Sequence, residues 1–600
     1  MATENINPNE NTPLSLSQWW ELAAQTHQLA LGQISSLIES GPPDTHDSLD
    51  LSRPYSALLN YWSREPIQTA RVVGDYWQKS SGLHWNVFHR MCGFNTEPVV
   101  EPNEDDRRFL DGAWTGVPWF DYLKQSYLLY AEFIGECFNG DTDLSESDAE
   151  KLHFFSQQWL NAIAPSNFAM TNPVVIKEAV ETNGASLVNG YKNFLRDWEQ
   201  SNGQFRVTLS DPDAFQLGTN IATTPGKVVY QNDFIQLIQY LPTTDKTYRE
   251  PLLVIPPWIN KYYIMDLRPE NSLLKYWVEQ GHTVFVVSWI NPDESYAEKT
   301  FEDYMLQGAY AAVDAIEKAT GEKRINAVGY CIGGTLLAAT LAHMAATGNE
   351  RIKSATFLTT LIDFSDPGEI RAFIHEPQIR NLESQMEKTG YLEGSAMASA
   401  FSMLRANELI WNAVVNYYLM GKETIAFDLL HWNGDSTRMP KAMHSFYLRK
   451  MYLENLLCKP GGIELAGESL DIKAIDIPVY FLSAHDDHIA PWATTYLGAR
   501  LFSGPVRFVL GGSGHIAGVI NPPSRHKYGY RINDAGSAGL PADAEDWLKG
   551  AIPQEGSWWP DWNQWVLRVS KRKVEARQPG AGKLSVIEDA PGSYANQRID

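Results

Sequence analysis

A cysteine stands in Val328-Gly329-Tyr330-Cys331-Ile332-Gly333-Gly334, directly after the apolar run Ile325–Val328 and before the helical stretch TLLAATLAHMAA. G-x-C-x-G between a strand and a helix is the pattern of a nucleophile elbow, with a thiol in place of the commoner hydroxyl. The glycines have a steric purpose, since strand and helix must approach closely around a strained turn. A helix N-terminus behind the sulfur stabilises negative charge on it. The plainer alternative is a glycine-rich turn with a structural cysteine, and the strand–turn–helix placement outweighs it. An elbow also calls for an acid and then a histidine later in the chain. The run Pro478–Ser483 ends in Ala484-His485-Asp486-Asp487-His488-Ile489-Ala490-Pro491-Trp492, and Val506–Leu510 ends in Gly511-Gly512-Ser513-Gly514-His515. Asp486 and Asp487 are adjacent, and the pattern alone does not decide between them. His515, isolated by glycines after what reads as the final strand, is the candidate base; a local or solvated role suits His485 and His488. The chemistry implied is nucleophilic attack by a thiolate, with a histidine as its base.

Such chemistry needs two backbone N–H donors for the developing oxyanion. One is Ile332, immediately after the nucleophile. The other belongs to the loop after an early strand, here Pro256-Pro257-Trp258-Ile259-Asn260-Lys261-Tyr262-Tyr263. The prolines have no N–H to give. That leaves the amides of Trp258 or Ile259, and Ile259 is carried forward as the candidate.

These groups need a frame. Short apolar runs at Leu252–Ile255, Thr283–Trp289, Ile325–Val328, Ala355–Leu361, Pro478–Ser483 and Val506–Leu510 alternate with helical stretches such as Phe301–Lys318. Continuous apolar strands separated by helices predict a parallel sheet covered on both faces. A hairpin is predicted over Lys227–Tyr240, turning near Gln231–Asp233. The expected fold is an α/β-hydrolase fold spanning residues 201–570, with a cap insertion at about 364–474 that is rich in aromatic residues. Residues 1–200 read as an all-helical N-terminal domain, with helical spacing at Leu14–Glu39 and Leu110–Phe138. Amphipathic helices bearing Trp19, Trp20, Trp62 and Trp77 predict a surface for polymer, a partner protein or a second copy. Residues 571–600, polar with Pro and Gly, read as a flexible tail.

The 600 residues carry 72 acidic and 49 basic side chains, a net charge of −23, which argues against a broad nucleic-acid surface. No apolar run reaches the roughly 18–20 residues of a membrane span. The stretch Met1–Pro13 is polar and acidic, unlike a secretory signal, so a cytoplasmic location is expected. Cys92, Cys137, Cys331 and Cys458 make neither a disulfide framework nor a CxxC pair. The three besides Cys331 are expected to be small buried hydrophobes. Neither metal nor cofactor is expected.

With the elbow, the PPWINKYY loop, the DDHIAPW loop and the GGSGHIAG loop together, the chain resembles the polyhydroxyalkanoate synthases from about residue 105 to about residue 565. Further matching stretches are Asp106-Arg107-Arg108-Phe109, Trp114, Tyr122–Leu129, Ala164–Phe168, Thr171-Asn172-Pro173, Trp432-Asn433 with Asp435-Ser436-Thr437, and Ser557-Trp558-Trp559-Pro560. The resemblance implies Cys331 as acylated nucleophile, His515 as base and Asp487 as third member, since Asp487 directly precedes His-Ile-Ala-Pro-Trp. It implies a class I enzyme polymerising short-chain (R)-3-hydroxyacyl-CoA, such as 3-hydroxybutyryl-CoA, with release of CoA. It also implies a homodimer at polyhydroxyalkanoate granules, in contact with the growing polyester and granule-associated proteins. A cysteine thioesterase and a non-catalytic granule scaffold are the competing classes.

Overall fold

The computed structural model describes residues 52–138, 144–201, 207–211, 213–424, 426–533 and 539–598. The predicted helix Leu14–Glu39, with Trp19 and Trp20, lies outside them. Two compact units emerge. One joins residues up to Leu209 with Arg405–Ile425, and the other joins Ser210–Leu404 with Ala426–Asp600.

The catalytic unit is built on a sheet with, among the described residues, eleven strands. They are β1 Gly226–Gln231, β2 Ile235–Tyr240, β3 Leu252–Ile255, β4 Val284–Trp289, β5 Ile325–Tyr330, β6 Ile352–Leu358, β7 Val479–Ala484, β8 Val506–Gly511, β9 Tyr530–Ile532, β10 Ile552–Gln554 and β11 Glu588–Asp589. Their spatial order is β10-β9-β8-β7-β6-β5-β3-β4-β2-β1-β11. Strands β4, β3, β5, β6, β7 and β8 run parallel, as expected, and the others pair antiparallel at the two sides. Alternation within the central strands fills both faces. Leu253, Ile255, Phe285 and Val287 join the core on one side, and Leu252, Val254, Val284 and Val286 join it on the other. This is why the central runs read as wholly apolar. Helix Ile332–Ala346 covers the first face, and a tryptophan-rich layer of Trp277, Trp558, Trp559 and Trp562 covers the second. The predicted crossover at Phe301–Lys318 is helical, with a wide π-type stretch over Tyr304–Tyr310.

Three expectations need correction. Residues 571–598 are not a flexible tail. Lys573–Glu575 pairs antiparallel with Lys246–Tyr248, β11 pairs with β1, and Tyr594 and Ala595 are buried. Tyr594 donates its hydroxyl to the Asn232 carbonyl at 2.7 Å. The polar composition belongs to an edge, where backbone groups are paired while side chains face water. Strand β8 is also not the last strand, because β9 and β10 extend the sheet beyond it. Nor is the insertion at about 364–474 one cap. Its middle, Arg405–Ile425, groups with the helical unit. There Tyr418 donates to Asp197 Oδ2 at 2.7 Å, Asn407 to Asn161 Oδ1 at 3.0 Å, and the Tyr418 carbonyl fills the space a side chain at Gly190 would need. The flanks stay with the catalytic unit, where Arg449 bridges Glu376 and Glu383 between helix Glu376–Thr389 and the segment after Phe446.

The described part of the helical unit pairs helix Pro66–Met91 with helix Pro118–Phe138. A buried Asp121 carboxylate takes Arg90, Lys124 and Gln125, and Gln125 in turn accepts the Val99 N–H at 2.7 Å. Phe109, Trp114 and Tyr127 form a small aromatic core against which the Arg108 guanidinium stacks. The matching stretches from Asp106 to Leu129 are thus packing residues here. Cys137 is buried, Cys458 half-buried and Cys92 exposed, so the expectation of burial fails at Cys92.

Candidate active site

Cys331 sits between β5 and helix Ile332–Ala346 with φ 53° and ψ −126°. A side chain in this left-handed region is strained, and the strain raises the sulfur out of the sheet at the strand's carboxyl end. Three glycines make the turn sterically feasible. A Cβ on Gly329 would meet Gly334 Cα at 2.4 Å, one on Gly333 would meet the Ile255 and Pro256 carbonyl oxygens at 2.3 and 2.5 Å, and one on Gly334 would meet Thr360 Oγ1 at 2.0 Å. The Cys331 N–H donates to the Leu358 carbonyl of β6 at 2.9 Å, which ties the turn to the sheet.

His515 follows β8 and Asp487 follows β7, so both loops open at the same end of the sheet as the elbow. His515 Nδ1 lies 2.7 Å from Asp487 Oδ2, with the histidine side chain 8% exposed and the carboxylate 0%. Asp487 Oδ1 accepts the N–H groups of Ile489 and Ala490, each at 2.9 Å. Both carboxylate oxygens are therefore engaged, one by His515 Nδ1 and the other by two backbone N–H groups. Burial works against charge on this imidazole, but Asp487 and Cys331 outweigh it and push His515 up to about 10. Asp486, the competing acid, instead pairs at 2.7 Å with His485, both of them exposed. Position in the fold separates the two aspartates that pattern could not.

The Ile332 amide opens the elbow helix, and a first-turn N–H of this kind has no intrahelical acceptor. Ile259 lies in the loop after β3, whose beginning is pressed against Gly333. Asn260, in the same loop, adopts φ 64°, a conformation that asparagine tolerates.

Several residues at this site carried no individual signal. Tyr330, read only as a spacer in the elbow, stacks on His515 with centroids 5.8 Å apart and donates to the His515 carbonyl at 3.3 Å. Tyr447 and Tyr452 are buried in the insertion, and burial first, then charge on Cys331, pushes both hydroxyls up. Phe364 packs edge-on against both, at 6.1 and 4.8 Å. The sole signal was the aromatic density of Ser445–Leu457, which marks a wall without saying what it encloses. Among the described residues, no group of His, Cys, Asp and Glu side chains could hold a metal ion.

Comparison with known proteins adds the following. Residues 105–277 match the family model described as poly-beta-hydroxybutyrate polymerase (PhaC) N-terminus, and residues 251–522 match the α/β hydrolase fold. The chain is 44% identical to a poly(3-hydroxyalkanoate) polymerase of Methylorubrum extorquens over the full length of both. It is 46% identical to a poly(3-hydroxyalkanoate) polymerase subunit PhaC of Rhizobium meliloti, covering 92% of this chain and 89% of that one. It is 41% identical to the corresponding subunit of Cupriavidus necator, covering 89% of each.

Proposed function

The chain belongs to the poly(3-hydroxyalkanoate) polymerase family of acyltransferases, and from that premise we propose that it elongates polyester through an acyl thioester on Cys331. The observation that carries this reading is the buried His515 ring, held by Asp487 and stacked on Tyr330, the residue that precedes the elbow cysteine. The Cys331 sulfur attacks the thioester carbonyl of (R)-3-hydroxyacyl-CoA, and the carbon–sulfur bond to CoA breaks. His515 takes the Cys331 thiol proton and passes it to the departing CoA sulfur, giving free CoA. Exchange between two sulfurs suits a thiol nucleophile. The 3-hydroxyl of a further unit then attacks the acyl-cysteine carbonyl. Its proton passes to His515, an ester bond forms and the Cys331 sulfur leaves. Asp487, with both oxygens occupied, orients the ring and stabilises its charge while His515 moves the proton.

Polymer forms only if a hydroxyl rather than water reaches the acyl-cysteine. Phe364, Tyr447 and Tyr452 supply an aromatic wall beside Cys331 that favours the hydroxyl of an organic chain. Short-chain monomers are the proposed substrate, and no cofactor is assigned beyond the CoA carried by the substrate itself.

The helical unit offers a contact for polymer, granule proteins or a second copy. Val73, Trp77, Trp85 and Phe88 follow helical spacing along Pro66–Met91 and are exposed. An apolar stripe of this kind marks an interaction surface. Among the described residues, no helix is long and apolar enough to cross a membrane.

Purified protein given (R)-3-hydroxybutyryl-CoA, with Cys331→Ala alongside, tests the central reading. Free CoA together with insoluble polyester, both absent in the variant, is the expected result. CoA release with only free hydroxy acid would identify a thioesterase. Release that persists in Cys331→Ala would remove the acyl-cysteine.

A further inference from the structure

The loop that carries Ile259 is strapped by one hydroxyl from the insertion. Thr437, buried, accepts the Asn260 N–H at 2.9 Å and donates to the Trp258 carbonyl at 2.5 Å. Those two groups flank Ile259 on either side. The Trp258 carbonyl and the Ile259 N–H belong to one trans peptide, so they point in opposite directions. Holding the carbonyl on Thr437 therefore turns the Ile259 N–H to the far side of the loop. Neighbouring bonds make the strap rigid. Asn260 Nδ2 donates to the carbonyls of Trp432 and Asn433 at 3.0 and 3.1 Å, and Trp432 Nε1 donates to the Lys261 carbonyl at 2.7 Å. Asp435 takes the Tyr263 hydroxyl and the Lys261 ammonium, each at 2.8 Å. At its other end the same loop is wedged against the elbow helix, where Ile255 and Pro256 fill the space beside Gly333.

We propose that Thr437 is a positioning residue, whose bridge across Trp258 and Asn260 aims the Ile259 amide at the acyl oxygen on Cys331. This rests on the acyl-cysteine reading above. The insertion then has a second task besides walling the site, because it sets one half of the oxyanion hole. An oxyanion donor works only when pre-aimed, so the bridge acts on the rate of acylation rather than on capture of substrate.

Thr437→Val keeps the side-chain volume and removes both bonds, whereas Thr437→Ser keeps the hydroxyl. Two rates are measured for each on the full chain. One is the burst of CoA release from (R)-3-hydroxybutyryl-CoA by rapid quench, and the other is alkylation of Cys331 by iodoacetamide. Alkylation displaces iodide at a saturated carbon and generates no oxyanion, so it reports the sulfur and His515 alone. For Thr437→Val the expected result is a burst slowed about 10–100-fold with KM within about twofold of the parent. Alkylation stays at the parent rate, and Thr437→Ser recovers the burst to within a few-fold. A parent-like burst in Thr437→Val overturns the proposal, and so does alkylation that falls in step with the burst. Should Thr437→Val fail to fold, Thr437→Ala carries the same comparison. A wild-type chain with no Cys331-dependent burst would refute the acyl-cysteine reading instead, so the two failures look different.

Discussion

Gly333→Ala is the sharpest perturbation that the fold allows at this site. The added methyl would lie 2.3 Å from the Ile255 carbonyl oxygen and 2.5 Å from that of Pro256, where real Cβ contacts essentially never fall below 3.0 Å. Both obstacles are backbone, so no flexible side chain can swing away. Either the elbow helix or the loop after β3 must retreat by about 0.7 Å. Overpacking of this kind costs about 1–3 kcal/mol of stability. The functional cost is larger, because helix and loop carry the two candidate oxyanion donors, Ile332 and Ile259, and the methyl drives them apart. A displacement near 1 Å at a reacting centre costs about 100-fold in rate, so a fall in kcat of about 30–100-fold is expected, with KM little changed. The assay pairs initial rates of CoA release with a thermal melt of the same preparation. Wild-type turnover in a folded Gly333→Ala protein would refute the claim that close packing of helix and loop aligns the site. Equal losses of kcat and of folded fraction would reduce the effect to stability.

Two further expectations follow from charge and surface. His515 is pushed up by Asp487 and Cys331, so its protonated form stabilises the fold fully below pH 6.5, and that contribution is lost as pH rises from 6.5 toward about 10. Asp487→Asn removes one source of the hold, so the decline in urea midpoint across that window should be shallower than in the parent; parallel curves would count against it. Replacing Trp85 and Phe88 together by Ser, on the exposed stripe of helix Pro66–Met91, should leave CoA release intact while weakening sedimentation with polyester granules or lowering the oligomeric mass. Unchanged granule binding and unchanged mass would leave the stripe without that role.

Much of this protein was legible as pattern. Strands β3, β4, β5, β7 and β8 announced themselves because burial on both faces demands unbroken apolar runs, and period and length then separate strand from helix. The elbow was legible because glycine spacing around Cys331 answers a backbone requirement, and His515 because it follows a strand among glycines. Polarity misled at the chain's end, where Lys573–Glu575 and Glu588–Asp589 are edge strands whose pairing is invisible to side-chain composition. The insertion misled as well, since contiguity in sequence does not keep Arg405–Ile425 with its neighbours in space.

What the sequence by itself determined is the chemistry: a thiol at a strand–helix turn, an acid and a histidine in the right order, and the sheet that lines them up. Those follow from local rules, strand periodicity and turn sterics, which are written in neighbouring residues. Spacing left Asp486 and Asp487 open and the family resemblance chose Asp487; tertiary structure supplied the physical difference, burying Asp487 against His515 and leaving Asp486 exposed with His485. It alone brought Tyr447 and Tyr452 to Phe364, and Thr437 to the Ile259 loop, from many residues away in the chain. Contacts of that range are set by how elements pack, and no spacing within a single segment encodes them.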